Sequence, residues 1–287
     1  MTAPAPTHTF GASRLLALPD GRRLHHMVAG AGQPTVVFES GMGFSRSIWG
    51  LVQPAVAERT RTVVYDRAGL GRSDRDPRPR TLARIGDDLR ALLAALGPGP
   101  FVLVGHSWGG PIVRTAAAAL GPEVVRGVVL VDQTDERCDL FLGPAMERRV
   151  AFGNRMTPLL ARTGLYRAFG AIPGRRQPAD VVADHRREDF TVAAAAAMGA
   201  ELAAFPDEIR ALREAPPALD PIAVTVLSGT KRTRFDRAGR RQVVAAHRAT
   251  AEEASHGRFV PAPRSAHLIM FSEPRLIVDE VLRLLDR

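Results

Sequence analysis

Cysteine and lysine are almost missing from this chain: among 287 residues there is one of each, Cys138 and Lys231. A lone cysteine excludes an internal disulfide framework and any cysteine-based metal site, and it fits a reducing compartment. Residues 1–11 hold proline, threonine and histidine but no apolar core behind a basic start, so no signal peptide is read there and the expectation is a cytoplasmic protein. No apolar run approaches the length of a membrane span. Long basic runs are absent too, although the net charge is +9. The arginines are scattered from Arg14 to Arg287 as singles and pairs among acids, without interleaved aromatics. That pattern describes a solvated surface on which arginine has replaced lysine, and it argues against nucleic acid as a partner. Membrane and nucleic acid are thus set aside, leaving a small molecule as the expected partner.

What the chain does contain is a strand, a sharp turn and a helix in immediate succession. Phe101-Val102-Leu103-Val104 is a short apolar run with two β-branched residues, and it reads as a buried strand. Gly105-His106-Ser107-Trp108-Gly109 follows, and residues 111–120 continue as an alanine-rich helix. A strand entering a helix through Gly-x-Ser-x-Gly is a nucleophile elbow. The serine sits in a strained turn, and a Cβ two residues before or after it would clash, so both positions are glycine. The strain lifts the Ser107 hydroxyl over the sheet edge at the positive end of the following helix. A chance Gly-x-Ser-x-Gly is common, but one wedged between such a strand and such a helix is much rarer.

The chain around the elbow alternates strands and helices. Residues 1–12 read as a flexible tail and 13–287 as one domain. Strand-like runs at 13–18 and 23–28 flank the turn Pro19-Asp20-Gly21, predicting a leading antiparallel hairpin in which one of His25 and His26 faces solvent and both are structural. Apolar strands are expected at 35–39, 62–65, 101–104 and 124–131, with helices at 49–59 and 81–96. Near-continuous apolar strands alternating with helices imply a mostly parallel sheet covered by helices on both faces. After the sixth strand the rhythm breaks. Residues 136–218 offer only helical stretches (144–169, 179–205, 207–214), punctuated at Pro173-Gly174 and Pro206, and read as a helical lid inserted at the carboxyl edge of the sheet. A strand at 221–228, a helix at 237–253, a strand at 257–261 and an amphipathic helix at 273–285 complete the pattern.

A serine hydroxyl is a poor nucleophile without a base. His267, in the loop between the last strand and the last helix, returns over the sheet edge near Ser107. His106 is locked beside the elbow, His185 lies in the lid, and His247 and His256 lie outside the expected loop. The orienting acid should end a sheet strand. After the strand at 221–228 the chain gives Thr230-Lys231-Arg232-Thr233, and its first carboxylate, Asp236, comes late. Asp132 stands directly at the end of the preceding strand and is favoured, with Asp236, Asp135 and Glu136 as alternatives. An oxyanion hole would use the backbone N–H groups of Trp108 and Met42, the latter flanked by Gly41 and Gly43. Met42 and Trp108 would form apolar walls, with Phe44 and Trp49 as further candidates for a substrate pocket.

These residues resemble the α/β-hydrolase-fold serine hydrolases, over about residues 13–285. The resemblance is carried by Gly41-Met42-Gly43, by Asp66-Arg67-Ala68-Gly69-Leu70-Gly71-Arg72-Ser73, by the elbow and by His267. It implies an α/β-hydrolase fold and the order serine, acid, histidine, met here by Ser107, Asp132 and His267. The Asp66–Ser73 stretch is a shaping turn in the family. The chain departs from the family at two points. Ser40-Gly41 stands where the family commonly has His-Gly, which alters how the oxyanion loop is braced but not its backbone donors. The acid is moved to the preceding strand, as in some haloalkane dehalogenases and lactone-cleaving members. A serine nucleophile in place of aspartate disfavours dehalogenase and epoxide-hydrolase chemistry, which need an alkyl-enzyme ester. The expectation is therefore hydrolysis of a small-to-medium apolar carboxylic ester or lactone through an acyl-enzyme, with no metal or organic cofactor implied. Carbon–carbon bond hydrolysis, removal of N-terminal proline, perhydrolysis and slow-turnover small-molecule sensing remain open on the same machinery.

Overall fold

The computed structural model describes residues 8–232 and 237–286. Its frame is an eight-stranded sheet in the order β1-β2-β4-β3-β5-β6-β7-β8. The strands are β1 (Ala12–Ala17), β2 (Arg23–Ala29), β3 (Thr35–Glu39), β4 (Thr62–Tyr65), β5 (Phe101–His106), β6 (Val125–Val131), β7 (Ala223–Gly229) and β8 (Gly257–Ala262). β1 and β2 pair antiparallel, β2 joins β4 antiparallel, and every pairing from β4 to β8 is parallel. The expected hairpin is there, with Gly21 at φ +86° in its turn. Both His25 and His26 are buried, however, instead of one facing solvent. β2 lies between two neighbours and is covered on both faces, so alternation there does not separate water from core.

Helices cover the two faces. α1 (Gln53–Ala57) and α10 (Pro274–Leu285) share one face, where Val36, Phe38, Val64, Val102, Val104, Val129 and Val131 meet Val56, Ile277 and Val281. α2 (Leu82–Leu96) and α3 (Gly109–Leu120) share the other, where Val37, Val63, Leu103, Val128 and Leu130 meet Leu89, Leu92 and Ile112. Alternate residues of each parallel strand therefore feed opposite cores, which is why the strands read as unbroken apolar runs. α2 begins where Thr81 Oγ1 accepts the Arg84 N–H, and it gives way at Gly97, φ +124°.

Four helices separate β6 from β7: α4 (Pro144–Arg162), α5 (Leu165–Gly170), α6 (Ala179–Glu188) and α7 (Val192–Glu214). α8 (Arg237–Glu253) leads into β8, and the short α9 (Ile269–Ser272) precedes α10. Four boundaries differ from expectation. The helix expected at 49–59 is confined to α1, with a separate 3-10 turn at Arg46–Trp49 before it. The helix expected at 144–169 breaks at Gly164, which adopts the left-handed φ +76° that glycine tolerates. The stretch 179–205 breaks before Thr191, which caps α7 by accepting the Ala194 N–H. Pro206 does not end a helix but sits inside α7. Phe205, Ile209 and Leu212 lie on one buried face of that helix, and their packing outweighs the single backbone bond the proline removes.

Candidate active site

β5 delivers Ser107 at φ +52°, a left-handed backbone that a non-glycine residue adopts only when its surroundings impose it. The glycines of the elbow are explained by backbone contacts. A Cβ on Gly105 would lie 2.4 Å from the Gly109 carbonyl oxygen. One on Gly109 would lie 2.7 Å from the Glu39 carbonyl oxygen and 2.8 Å from that of Ser40. The elbow is thus pressed against the end of β3, and Gly41, whose Cβ would come within 3.2 Å of Ser107 Cβ, brings the next loop beside the serine.

β6 ends on Asp132, also left-handed at φ +41°. Its Oδ2 accepts the His267 Nδ1–H at 2.8 Å, and its Oδ1 accepts the Gly229 N–H at 2.8 Å. Arg240, on α8, donates through Nη1 to both carboxylate oxygens at 2.8 and 2.9 Å. Burial pushes the Asp132 carboxyl up, but the hydrogen bond from His267 and the charges of His267, His247 and Arg240 prevail and hold it well below the usual carboxylate range. Of the other candidate acids, Asp135 is engaged by Gln133 at 2.9 Å and Thr250 at 2.6 Å, and Glu136 forms a bidentate pair with Arg114, both bonds 2.7 Å. Asp236 lies outside the described residues.

Ser107, Asp132 and His267 border one cavity of about 340 Å³, walled by Leu140, Phe141 and Met146. The His267 side chain is 48% exposed. Among the described residues, Ser107 Oγ makes no side-chain hydrogen bond, so the histidine is fixed from its acid side and open on its serine side. His106 supports the same loop: its buried Nε2–H donates to the His267 carbonyl oxygen at 3.2 Å, and the two rings lie 4.7 Å apart. Burial, helped by the neighbouring His267, pushes the His106 imidazole down to about 3.

The loop after β3 is braced in a way the sequence reading did not identify. The Arg67 guanidinium is fully buried and uses all five of its N–H groups. It bonds the Ser40 and Gly41 carbonyl oxygens at 2.5 and 2.8 Å, Glu39 at 2.6 Å, and both oxygens of Glu201 on α7 at 2.8 and 2.9 Å. Tyr65 donates a short hydrogen bond to Glu39. Ser40 Oγ donates to the Ser45 carbonyl oxygen at 2.9 Å and accepts the Trp49 indole N–H at 3.1 Å. Among the described residues, the backbone N–H groups of Met42 and Trp108 donate to no backbone or side-chain acceptor.

The residues expected to wall a pocket, Met42, Phe44, Trp49 and Trp108, do not border this cavity. Trp49 is fully buried against Phe38 with its indole spent on Ser40, so it belongs to the core beneath the loop and not to the cavity. Phe44 stacks on His185, 6.1 Å between centroids, and Trp108 is buried against Phe205 of α7 at 5.2 Å. Arg67, Glu201 and Arg240 are the residues that sequence reasoning missed. The one available signal was an arginine at the carboxyl end of a buried strand. No group of His, Cys, Asp and Glu suited to holding a metal ion occurs among the described residues.

A family model described as "Alpha/beta hydrolase family" matches residues 36–280. "Putative carbamate hydrolase RutD" of Azorhizobium caulinodans is 35% identical over 126 residues, 44% of this chain and 46% of that protein, so the chain spans less than half of this relative's length. The solved enol-lactonase from Burkholderia xenovorans LB400 superposes with a TM-score of 0.71 at 22% identity, over 96% of this chain and 100% of that one. The esterase from Exiguobacterium antarcticum gives 0.75 at 16% identity, over 96% and 100%. Identities this low speak to the fold alone. The family match runs from β3 into α10 and takes in the elbow, Asp132 and His267, and on that ground the chain belongs to the alpha/beta hydrolase family.

Proposed function

We propose that the chain is a serine hydrolase cleaving a small-to-medium, largely apolar carboxylic ester or lactone, with Ser107 as nucleophile, His267 as general base and Asp132 as the orienting acid. The observation that carries this reading is the Asp132–His267 hydrogen bond at 2.8 Å on the same cavity as the strained Ser107. With Nδ1–H given to Asp132, the imidazole presents Nε2 as an acceptor. Ser107 Oγ attacks the substrate carbonyl while Nε2 takes its proton. The N–H groups of Met42 and Trp108 hold the oxyanion, and imidazolium Nε2 returns the proton to the departing alkoxide. Water, deprotonated by the same nitrogen, then cleaves the acyl-enzyme. In a lactone the leaving alkoxide stays tethered to the acyl group. Helices α4–α7 act as the lid over this cavity. The apolar wall of Leu140, Phe141 and Met146 supports an apolar substrate.

The test is labelling with a fluorophosphonate probe, with the modified residue mapped by mass spectrometry. Wild type is expected to label at Ser107, Ser107→Ala not at all, and Asp132→Asn more slowly by about 10⁴-fold, the scale of losing the orienting acid. Asp236→Asn is expected to label like wild type. An unlabelled Ser107 in wild type would remove the hydrolase reading and leave slow-turnover sensing in its place.

A further inference from the structure

A second concavity, about 620 Å³, shares His267 with the cavity at Ser107. Four cations border it: Arg175 and Arg176 from the turn between α5 and α6, Lys231 just beyond β7, and Arg264. Arg264 is engaged by Glu273 at 3.3 Å. The side chains of Arg175, Arg176 and Lys231 have no carboxylate partner among the described residues. The buried arginines, by contrast, are matched to acids, as with Arg46, Arg67 and Arg114. Cations of one sign in a concavity focus their field into it, so the groove attracts an anion more strongly than the same residues would on a convex surface. The rest of its wall is mostly apolar, with Ile172, Leu268 and Phe271 alongside Ser272.

From this arrangement we propose that the groove holds a terminal carboxylate or phosphate of the substrate, so that the ester cleaved at Ser107 is an anionic one. The proposal rests on the serine-hydrolase reading for the reaction itself. The reacting carbonyl sits at Ser107, an apolar chain passes His267 along Leu268 and Phe271, and the anion ends among Arg175, Arg176 and Lys231. Guanidinium forks suit either a carboxylate or a phosphate, while the lysine supplies a point charge. The volume lies within the range of small-molecule sites.

Three 4-nitrophenyl esters separate the possibilities: the neutral butyrate, the glutarate half-ester and 4-phosphonobutyrate. Wild type is expected to favour an anionic ester over the neutral one by about tenfold or more in kcat/KM, with the preference shrinking at high salt. The glutarate and phosphonate arms identify which anion is meant. In Arg175→Gln/Arg176→Gln/Lys231→Gln the ratio should fall toward one. A ratio does not depend on how much of the variant folds. Calorimetric binding of the intact glutarate half-ester to Ser107→Ala, with and without the three glutamines, gives a readout free of turnover and should lose at least about tenfold in affinity with them. Equal kcat/KM for neutral and anionic esters in wild type overturns the proposal while leaving Ser107 labelling intact. A preference that survives the triple substitution, or that is abolished instead by Arg149→Gln in the smaller cavity, also overturns it. If Ser107 neither labels nor turns over, yet groove-dependent binding persists, the groove stands and the hydrolase reading falls.

Discussion

His106 precedes the elbow serine and is wholly buried, with its Nδ1 unpartnered and its Nε2–H on the His267 carbonyl. A proton on Nδ1 would be a charge cut off from solvent and set beside His267, and the nearby Asp132 does not offset this, hence the fall from 6.5 to about 3. The unfolded chain takes up that proton as pH drops below 6.5, and the folded chain resists it until about 3. The histidine's contribution to stability is therefore full above pH 6.5 and declines by about 1.4 kcal/mol per pH unit through that window. His106→Gln keeps a donor for the His267 carbonyl but cannot be protonated. Urea denaturation at pH 7 and pH 5 should show wild type losing roughly 2 kcal/mol more than the variant over that step. Equal losses would mean that the imidazole is not held neutral. At this scale the sequence was informative where order along the chain carries the chemistry. Ser107, read from its flanking glycines, His267, read from its loop, and Asp132, read from the end of a strand, border one cavity, and the roles proposed for them rest on that meeting. Arg240 and Glu201 were illegible because each meets its partner across more than a hundred residues, and single arginines and glutamates look alike on any helix.

Between elements, the loop after β3 and helix α7 share one guanidinium. Arg67 fixes the Ser40 and Gly41 carbonyls, which set the peptide plane leading to Met42, and Glu201 holds Arg67 from the opposite side. Gly43, φ +76°, packs under Met198 of the same helix, where a Cβ would come within 2.6 Å of Sδ. The Ser40-Gly41 departure from the family's His-Gly is accommodated here, since the arginine supplies the bracing. Glu201→Gln keeps the shape but removes the charge, leaving a buried guanidinium with one carboxylate instead of two. The expected result is a loss of about 3 kcal/mol in stability and, on the proposed mechanism, a fall of about tenfold in kcat with little change in KM, because donors to an oxyanion act on the transition state. Thermal denaturation and steady-state kinetics on a neutral ester check the two together; an unchanged kcat would separate α7 from the oxyanion loop. The elements themselves were read well where burial is two-sided, as in β3 to β7. They were misread in the insertion, where Pro206 and the residues at 189–191 exchange the meanings that local chemistry assigns them, because tertiary packing decides which break is tolerated.

Across the whole molecule, the insertion is anchored unevenly, and that sets where it opens. α6 is stitched to the sheet-end loops by buried charge: Arg46 reaches Asp66 and Glu188 at 2.7 Å and Asp184 at 2.5 Å, and Arg72 adds bonds to Asp184 and Glu188. Asp189 accepts the Ser45 N–H at 2.9 Å and the Ser47 hydroxyl at 2.5 Å. α7 is held by Glu201 and by Phe205, Ile209 and Leu212. α4, by contrast, buries only Val150 among its nineteen residues, and α5 buries none. Phe152 and Phe169 stand 67% and 70% exposed. Local opening follows the number of apolar groups that must be exposed, so α4 and α5 belong to the low-stability end of the molecule while α6 and α7 move with the sheet. Hydrogen exchange should find the α4 and α5 amides exchanging at least roughly tenfold faster than those of α6 and α7. Comparable protection in all four would show the insertion to be one rigid cap. The direction of opening matters to the chemistry, because Met146 and Arg149 of α4 wall the cavity at Ser107. On the proposed reading, lifting α4 would uncover that cavity from one side while the Arg67–Glu201 and Arg46–Asp184 ties keep the loop after β3 in place, so that substrate would enter without disturbing the groups proposed to meet it.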